Sequence, residues 1–206
     1  MPSNYDNSAW FYDRLSRLVY GKALVDAQVY LLPYVPPNSN VLIVGGGTGW
    51  ILEELARVHP AGLNITYVEI SEKMMALSQK RHCGNNKVIY ITQAVENVAF
   101  TEKFDVIITP FLFDNFKEET LERVFAHLHH QLKTGGLWLN TDFRLTGKWW
   151  QNVLLKSMFL FFKAICGIET SVLPDIERQF RQNGYATVAE KSFFGEFVIS
   201  AVFEKK

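Results

Sequence analysis

The sequence predicts an α/β protein built on a doubly wound, seven-stranded mixed sheet, and three observations carry that prediction. From about residue 41 onward, short β-branched or aromatic runs alternate with longer helical patterns, the signature of a sheet with helices between its strands. Runs such as VLIV at 41–44 and FDVII at 104–108 contain almost no polar residue, as strands do when helices cover both faces of a sheet. The last two runs, Tyr185–Phe194 and Glu196–Phe203, are joined only through Phe194-Gly195-Glu196. That connection is too short for a parallel crossover, so they form a hairpin and one of them runs against the rest of the sheet.

Five strands are predicted before the hairpin: Val41–Val44, Asn64–Glu69, Lys87–Thr92, Phe104–Thr109 and Gly136–Asp142. Between Phe116 and Leu132, the residues Leu121, Val124, Phe125, Leu128 and Leu132 recur at helical spacing, with Asp114 or Asn115 available as a cap. Lys133-Thr134-Gly135-Gly136 then supplies a basic last turn followed by glycines, which should end this helix before the fifth strand. Another short helix is expected after Pro174, ending near Gly184, and PYVPPNSN at 33–40 reads as a loop. No repeat or linker divides the chain, so one domain over 1–206 is expected, with 41–206 as its core.

Twenty-one lysines and arginines balance 21 aspartates and glutamates. No overall field draws the chain to nucleic acid, and a small-molecule partner is expected instead. The two cysteines, Cys83 and Cys166, are far apart and lack metal-type spacing. They suit a reducing cytoplasm, and MPSNYDNSAW shows neither the basic segment nor the apolar run of a secretory signal. His127, His129 and His130 lie near a helix carboxyl end, where histidine is electrostatically favoured, and no metal is assigned to them.

The main chemical signal is VLIVGGGTG at 41–49, a buried strand running into glycines and then into a helix with Ile51, Leu52, Leu55 and Val58. Glycines permit positive φ and close approach of main chain to a ligand, and a helix start offers N–H groups to an anionic group. Twenty residues beyond Gly49, the second strand ends at Glu69, at the carboxyl edge where open α/β sheets bind ligands. Its two oxygens suit a ribose diol. A dinucleotide fingerprint would need glycine at position 50, where Trp50 stands. A nucleoside without pyrophosphate therefore fits better, and no Lys-Ser or Lys-Thr pair follows to make a triphosphate loop.

VLIVGGGTG, the strand end YVEIS followed by Met74, ITQA, FDVIITPFLFDN, LKTGGLWLNTD and the closing NGY with its hairpin together resemble the class I S-adenosylmethionine-dependent methyltransferases. The resemblance spans nearly the whole chain and implies a Rossmann-like core beneath a helical cap at 1–40. It implies S-adenosylmethionine as cofactor, with S-adenosylhomocysteine as product. Gly45, Gly46, Gly47, Thr48 and Gly49 would surround the methionine portion, and Glu69 would hold the ribose. Ile70 and Met74 would lie against adenine, Gln93 and Ala94 would border its amino group, and Thr109 would close the site at the fourth strand. The sequence departs from the family at Gln93, where an acidic residue is frequent, and at Ile43, where many relatives carry Asp or Glu.

In the family the acceptor sits over the carboxyl ends of the fourth and fifth strands. The matching positions make Phe111, Phe113 and Asp142 substrate candidates, joined by Tyr5 and Tyr12, because NYDNSAWFYDRL resembles the opening of ubiquinone- and menaquinone-type methyltransferases. The expected activity is methylation of a small organic acceptor, an apolar one among the candidates, with no residue assigned as base. A non-catalytic cofactor-binding regulator and a nicotinamide-dependent oxidoreductase are the alternatives. KWWQNVLLKSMFLFFKAIC at 148–166 has an apolar arc wider than one core-facing surface requires, including Trp149, Trp150, Phe161 and Phe162. An acceptor, a second copy or a membrane surface could cover it, and interrupting charges disfavour a span.

Overall fold

A computed structural model describes residues 20–166 and 172–206. Its seven strands are β1 (Asn40–Val44), β2 (Ala61–Glu69), β3 (Asn85–Thr92), β4 (Phe104–Pro110), β5 (Leu132–Phe143), β6 (Tyr185–Phe193) and β7 (Val198–Lys205), in the sheet order β3-β2-β1-β4-β5-β7-β6. The first five are mutually parallel, whereas β7 runs antiparallel to both β5 and β6, as the short connection required. The described helices are α1 (Ala23–Val29), α2 (Trp50–Val58), α3 (Glu72–Ser78), α4 (Glu118–Gln131), α5 (Trp149–Cys166) and α6 (Ile176–Gln182). No helix among the described residues is long and apolar enough to cross a membrane.

Alternate residues of the apolar strands feed two cores, one on each face of the sheet. Leu42, Val44, Ile107 and Trp138 pack with Leu121, Val124, Phe125 and Leu128 of α4 and with Phe180 of α6. Val41, Ile43, Ile108 and Leu139 pack on the other face against Ile51, Leu52 and Leu55 of α2. A third cluster gathers Tyr20, Phe143, Leu155, Phe159 and Phe197, with Phe111, Trp150, Leu154 and Phe194 packed against it.

β2 and β3 begin earlier than expected, at Ala61 and Asn85, and two boundaries around α4 also differ. α4 is preceded by Lys117 without a side-chain cap, while Asp114 and Asn115 belong to a separate 3-10 turn, Phe113–Asn115. β5 starts at Leu132 directly after α4, so 133–136 belong to the strand instead of a helical last turn. Gly135 (φ +74°) takes up the irregularity, and the β4–β5 register shifts between Phe104 and Val106.

Candidate functional site

Parallel pairing of Val44 with Val68, and of Ile43 with Ile108, brings the carboxyl ends of β1, β2 and β4 to one edge. The glycine loop leaves that edge from Val44. Gly45, Gly47 and Gly49 have φ of +71°, +61° and +77°, the left-handed region where a Cβ is strained. Gly49 also abuts α3: a methyl group there would lie 2.6 Å from the Ser78 Cα. Gly46 is required for a different reason, because its missing Cβ makes room for the Tyr67 ring, whose hydroxyl donates to the Gly47 carbonyl at 3.0 Å.

Glu69, buried at the end of β2, turns toward this loop. Its Oε2 accepts the Gly47 N–H at 3.0 Å and its Oε1 accepts the Ser71 N–H at 2.9 Å. Ser71 caps α3 by accepting the Met74 N–H, which fixes buried Met74 beside the loop, its sulfur 3.7 Å from the position of a Cβ on Gly47. Ile70 follows Glu69, and pairing of Glu69 with Thr92 sets Gln93 and Ala94 alongside. Gln93 is exposed and its amide donates to the Asn97 carbonyl at 3.1 Å. Thr48 is buried, and its carbonyl accepts the Arg81 Nε–H at 2.9 Å.

Two expected site residues face elsewhere. Thr109 is fully buried on the α4 side, where its hydroxyl donates to Asn140 Oδ1 at 2.8 Å and accepts Trp138 Nε1–H at 2.9 Å. Phe113 is also fully buried, packed in the same core near Trp138. Tyr5 and Tyr12 lie outside the described residues, as do the side chains of Phe161 and Phe162.

Beyond β4 the chain bends at Phe111, which holds a positive φ of +51° while its N–H donates to the Thr141 carbonyl at 2.7 Å. The bend carries Leu112 over the glycine loop, its Cδ1 3.0 Å from the position of a Cβ on Gly45. It also delivers Asp114 beside Asp142, both buried. Asp142 accepts the Phe113 N–H at 3.1 Å and the Phe143 N–H at 2.9 Å, while Asp114 accepts from the Asn115 amide at 2.8 Å. Burial pushes the Asp142 carboxyl up to about 7 against the pull of those backbone donors. Burial first, and the Asp142 charge second, hold Asp114 well above the ordinary carboxylate range. Phe111 and Tyr20 pack on Phe143, the residue after Asp142, at ring-centroid spacings of 5.1 and 5.8 Å. Burial and the Asp114 charge raise the Tyr20 hydroxyl in turn.

Sequence reasoning offered Asp114 as a helix cap and placed it in the acceptor stretch 109–115 without singling it out as a site residue. The available signal was a carboxylate directly after the apolar run FLF, one strand over from Asp142. Leu112 and Tyr67 gave no such signal.

Residues 41–136 match a family model described as a methyltransferase domain. The fold of the described chain is one that solved methyltransferases share. A chain of the complex between the Haloferax volcanii Trm112 methyltransferase activator and a methyltransferase superposes with a TM-score of 0.72 at 13% identity, covering 99% of this chain and 98% of that one. Magnesium protoporphyrin IX methyltransferase from Synechocystis, with bound S-adenosylhomocysteine, gives 0.64 at 16% identity over 89% of this chain and 82% of that one. A polyamine aminopropyltransferase of Desulforudis audaxviator is 36% identical over 101 residues, 42% of this chain and 36% of that protein. The chain spans about a third of the length of the curated relatives it matches. The matched part of the methyltransferase domain contains the glycine loop, Glu69 and Asp114, while Asp142 and α5 lie beyond it.

Proposed function

We propose that this chain is an S-adenosylmethionine-dependent methyltransferase acting on a small organic acceptor, bound where β4 and β5 end. The observation that carries the reading is the Gly47–Glu69 bond: bare, positive-φ main chain faces a carboxylate held from both sides by backbone donors. Such a carboxylate is pre-oriented to accept from vicinal ribose hydroxyls. The residues fit the cofactor in other respects. The positive-φ main chain is open beside Gly47, where a Cβ would meet only the Met74 sulfur at 3.7 Å, which suits the methionine portion, and Met74 and Ile70 offer apolar contact to adenine. Gln93 can present its amide oxygen to an exocyclic amine, and Thr109 is left out of the proposed set.

The cofactor supplies an electrophilic methyl group on a sulfonium, so the protein's task is to hold a nucleophile in line and exclude water. Phe111, Phe143 and Tyr20 supply apolar walls that favour an acceptor with a ring or an alkyl body. Asp114 and Asp142, both held above the ordinary carboxylate range by burial, are suited to take the proton that an O–H or N–H acceptor loses. Tyr5 and Tyr12 complete the proposed acceptor set from the amino-terminal segment.

Aminopropyl transfer is the second reading, favoured by the identity to aminopropyltransferases across the matched region. Incubation of the chain with a metabolite mixture and either S-adenosylmethionine or its decarboxylated form, read by mass spectrometry, tests both. Products gaining a methyl group support the first reading and products gaining an aminopropyl group the second. S-adenosylhomocysteine binding without any product would leave a regulatory binding protein.

A further inference from the structure

The outer face of α5 has the composition of a surface made for anionic lipid. Five of the nine exposed large hydrophobic side chains among the described residues fall between Leu145 and Val172. On α5 the buried stripe is Gln151, Leu155 and Phe159, and the outward stripe is Trp149, Asn152, Val153, Lys156, Leu160 and Lys163. Trp149 is 78% exposed, Val153 60% and Leu160 72%. Exposed apolar residues this close together mark an interaction surface.

Charge identifies what covers it. No aspartate or glutamate occurs from residue 143 to residue 168, whereas Arg144, Lys148, Lys156 and Lys163 do. Arg144 and Lys148 are paired with Glu177, Glu190 and Glu196. Lys156 and Lys163 have no acidic partner among the described residues, and both stand on the same stripe as Trp149, Val153 and Leu160. A second copy docked on this stripe about a two-fold axis would gather four lysines and no carboxylate of the stripe in one interface, which costs energy, whereas lipid phosphates would attract them. Tryptophan at the helix start suits the headgroup boundary.

We infer that α5 lies along an anionic lipid surface, with Trp149, Val153 and Leu160 entering the headgroup boundary and Lys156 and Lys163 meeting phosphates. Between α5 and the Phe194–Gly195 turn an open apolar groove of about 620 Å³ is lined by Trp149, Trp150, Val153, Leu154 and Phe194. Trp150, Leu154 and Phe194 pack in the cluster that also holds Phe111 and Phe143, so the docked face adjoins the acceptor walls. Only its use, delivery of an apolar acceptor out of lipid, rests on the proposed function.

The test is co-sedimentation of the full chain with phosphatidylcholine vesicles, with or without roughly one-third phosphatidylglycerol. Binding to the anionic vesicles is expected, weakened by salt. K156E/K163E should lower the partition coefficient by more than the roughly thirtyfold expected for neutralising two lysines. W149A/L160A should also lower it, and both variants should keep the wild-type circular dichroism spectrum and S-adenosylhomocysteine affinity. Equal binding to neutral vesicles, binding indifferent to K156E/K163E, or a dimer lost in W149A/L160A without any vesicle binding would overturn the inference. Calorimetry with S-adenosylhomocysteine is read separately, so vesicle binding without cofactor binding would fail the proposed function and spare this one.

Discussion

The Gly47 N–H donates to Glu69 Oε2 at 3.0 Å, tying the turn after β1 to the end of β2. The same carboxylate accepts from Ser71 through its other oxygen, so one side chain sets both the loop and the start of α3. Glu69→Gln keeps one acceptor oxygen but points an NH2 donor at an N–H donor. Loss of a charge-assisted bond is worth about 1.5–3 kcal/mol, so S-adenosylhomocysteine affinity should fall roughly ten- to hundredfold. Isothermal titration measures it, and an unchanged Kd would remove Glu69 from the site.

The three positive-φ glycines separate folding from binding. At Gly47 a methyl group meets nothing closer than the Met74 sulfur at 3.7 Å, so Gly47→Ala bears only the left-handed strain of about 1–2 kcal/mol. At Gly49 the methyl would meet the Ser78 Cβ at 2.5 Å as well as backbone, so Gly49→Ala should lower Tm further. If the proposed cofactor lies against this loop, Gly47→Ala should abolish calorimetric binding while the domain still melts cooperatively. Retained binding in Gly47→Ala would contradict a close approach of ligand to that loop.

Asp114 and Asp142 both hold protons to higher pH in the folded chain than in the unfolded one, where aspartate titrates near ~3.9. The folded state then binds more protons over that interval, so stability falls as pH rises. The contribution is fully present below about pH 4 and is lost as pH climbs through about 7. A loss on the order of a few kcal/mol is expected. Asp114→Asn, which mimics the protonated form, should flatten the dependence. Urea unfolding across this range checks it, and wild-type stability that increased with pH would rule out the buried pair.

The fold was legible in the sequence where periodicity had only one interpretation. VLIV and FDVII could only be strands covered on both faces, and the Phe194-Gly195-Glu196 connection could only reverse the chain. Glu69 was legible because its register with the glycine loop depends on chain length alone. What stayed hidden was facing. A strand apolar on both sides offers no alternation from which to decide where Thr109 points, and no residue pattern foretells its bonds to Asn140 and Trp138. The Asp114–Asp142 pair was hidden because the turn at Phe111, a left-handed phenylalanine, has no composition signature. α3 was missed because its two turns are too short to show a helical period, although Ser71 caps it.

The inward Thr109 makes the last prediction opposite to what its position suggested. Its hydroxyl accepts from Trp138 and donates to Asn140 in a fully buried environment. Thr109→Val conserves shape but leaves the indole N–H of Trp138 and the Asn140 carbonyl oxygen without that partner. Each orphaned buried group costs about 1–3 kcal/mol, so the domain should lose roughly 2–6 kcal/mol of stability. Trp138 is also stacked on Phe125 at 4.8 Å, so its near-UV circular dichroism should change with the variant. S-adenosylhomocysteine affinity, measured at a temperature where the variant is folded, should match wild type because Thr109 does not reach the glycine loop. A variant as stable as wild type that binds the ligand weakly would instead place this hydroxyl in the cleft.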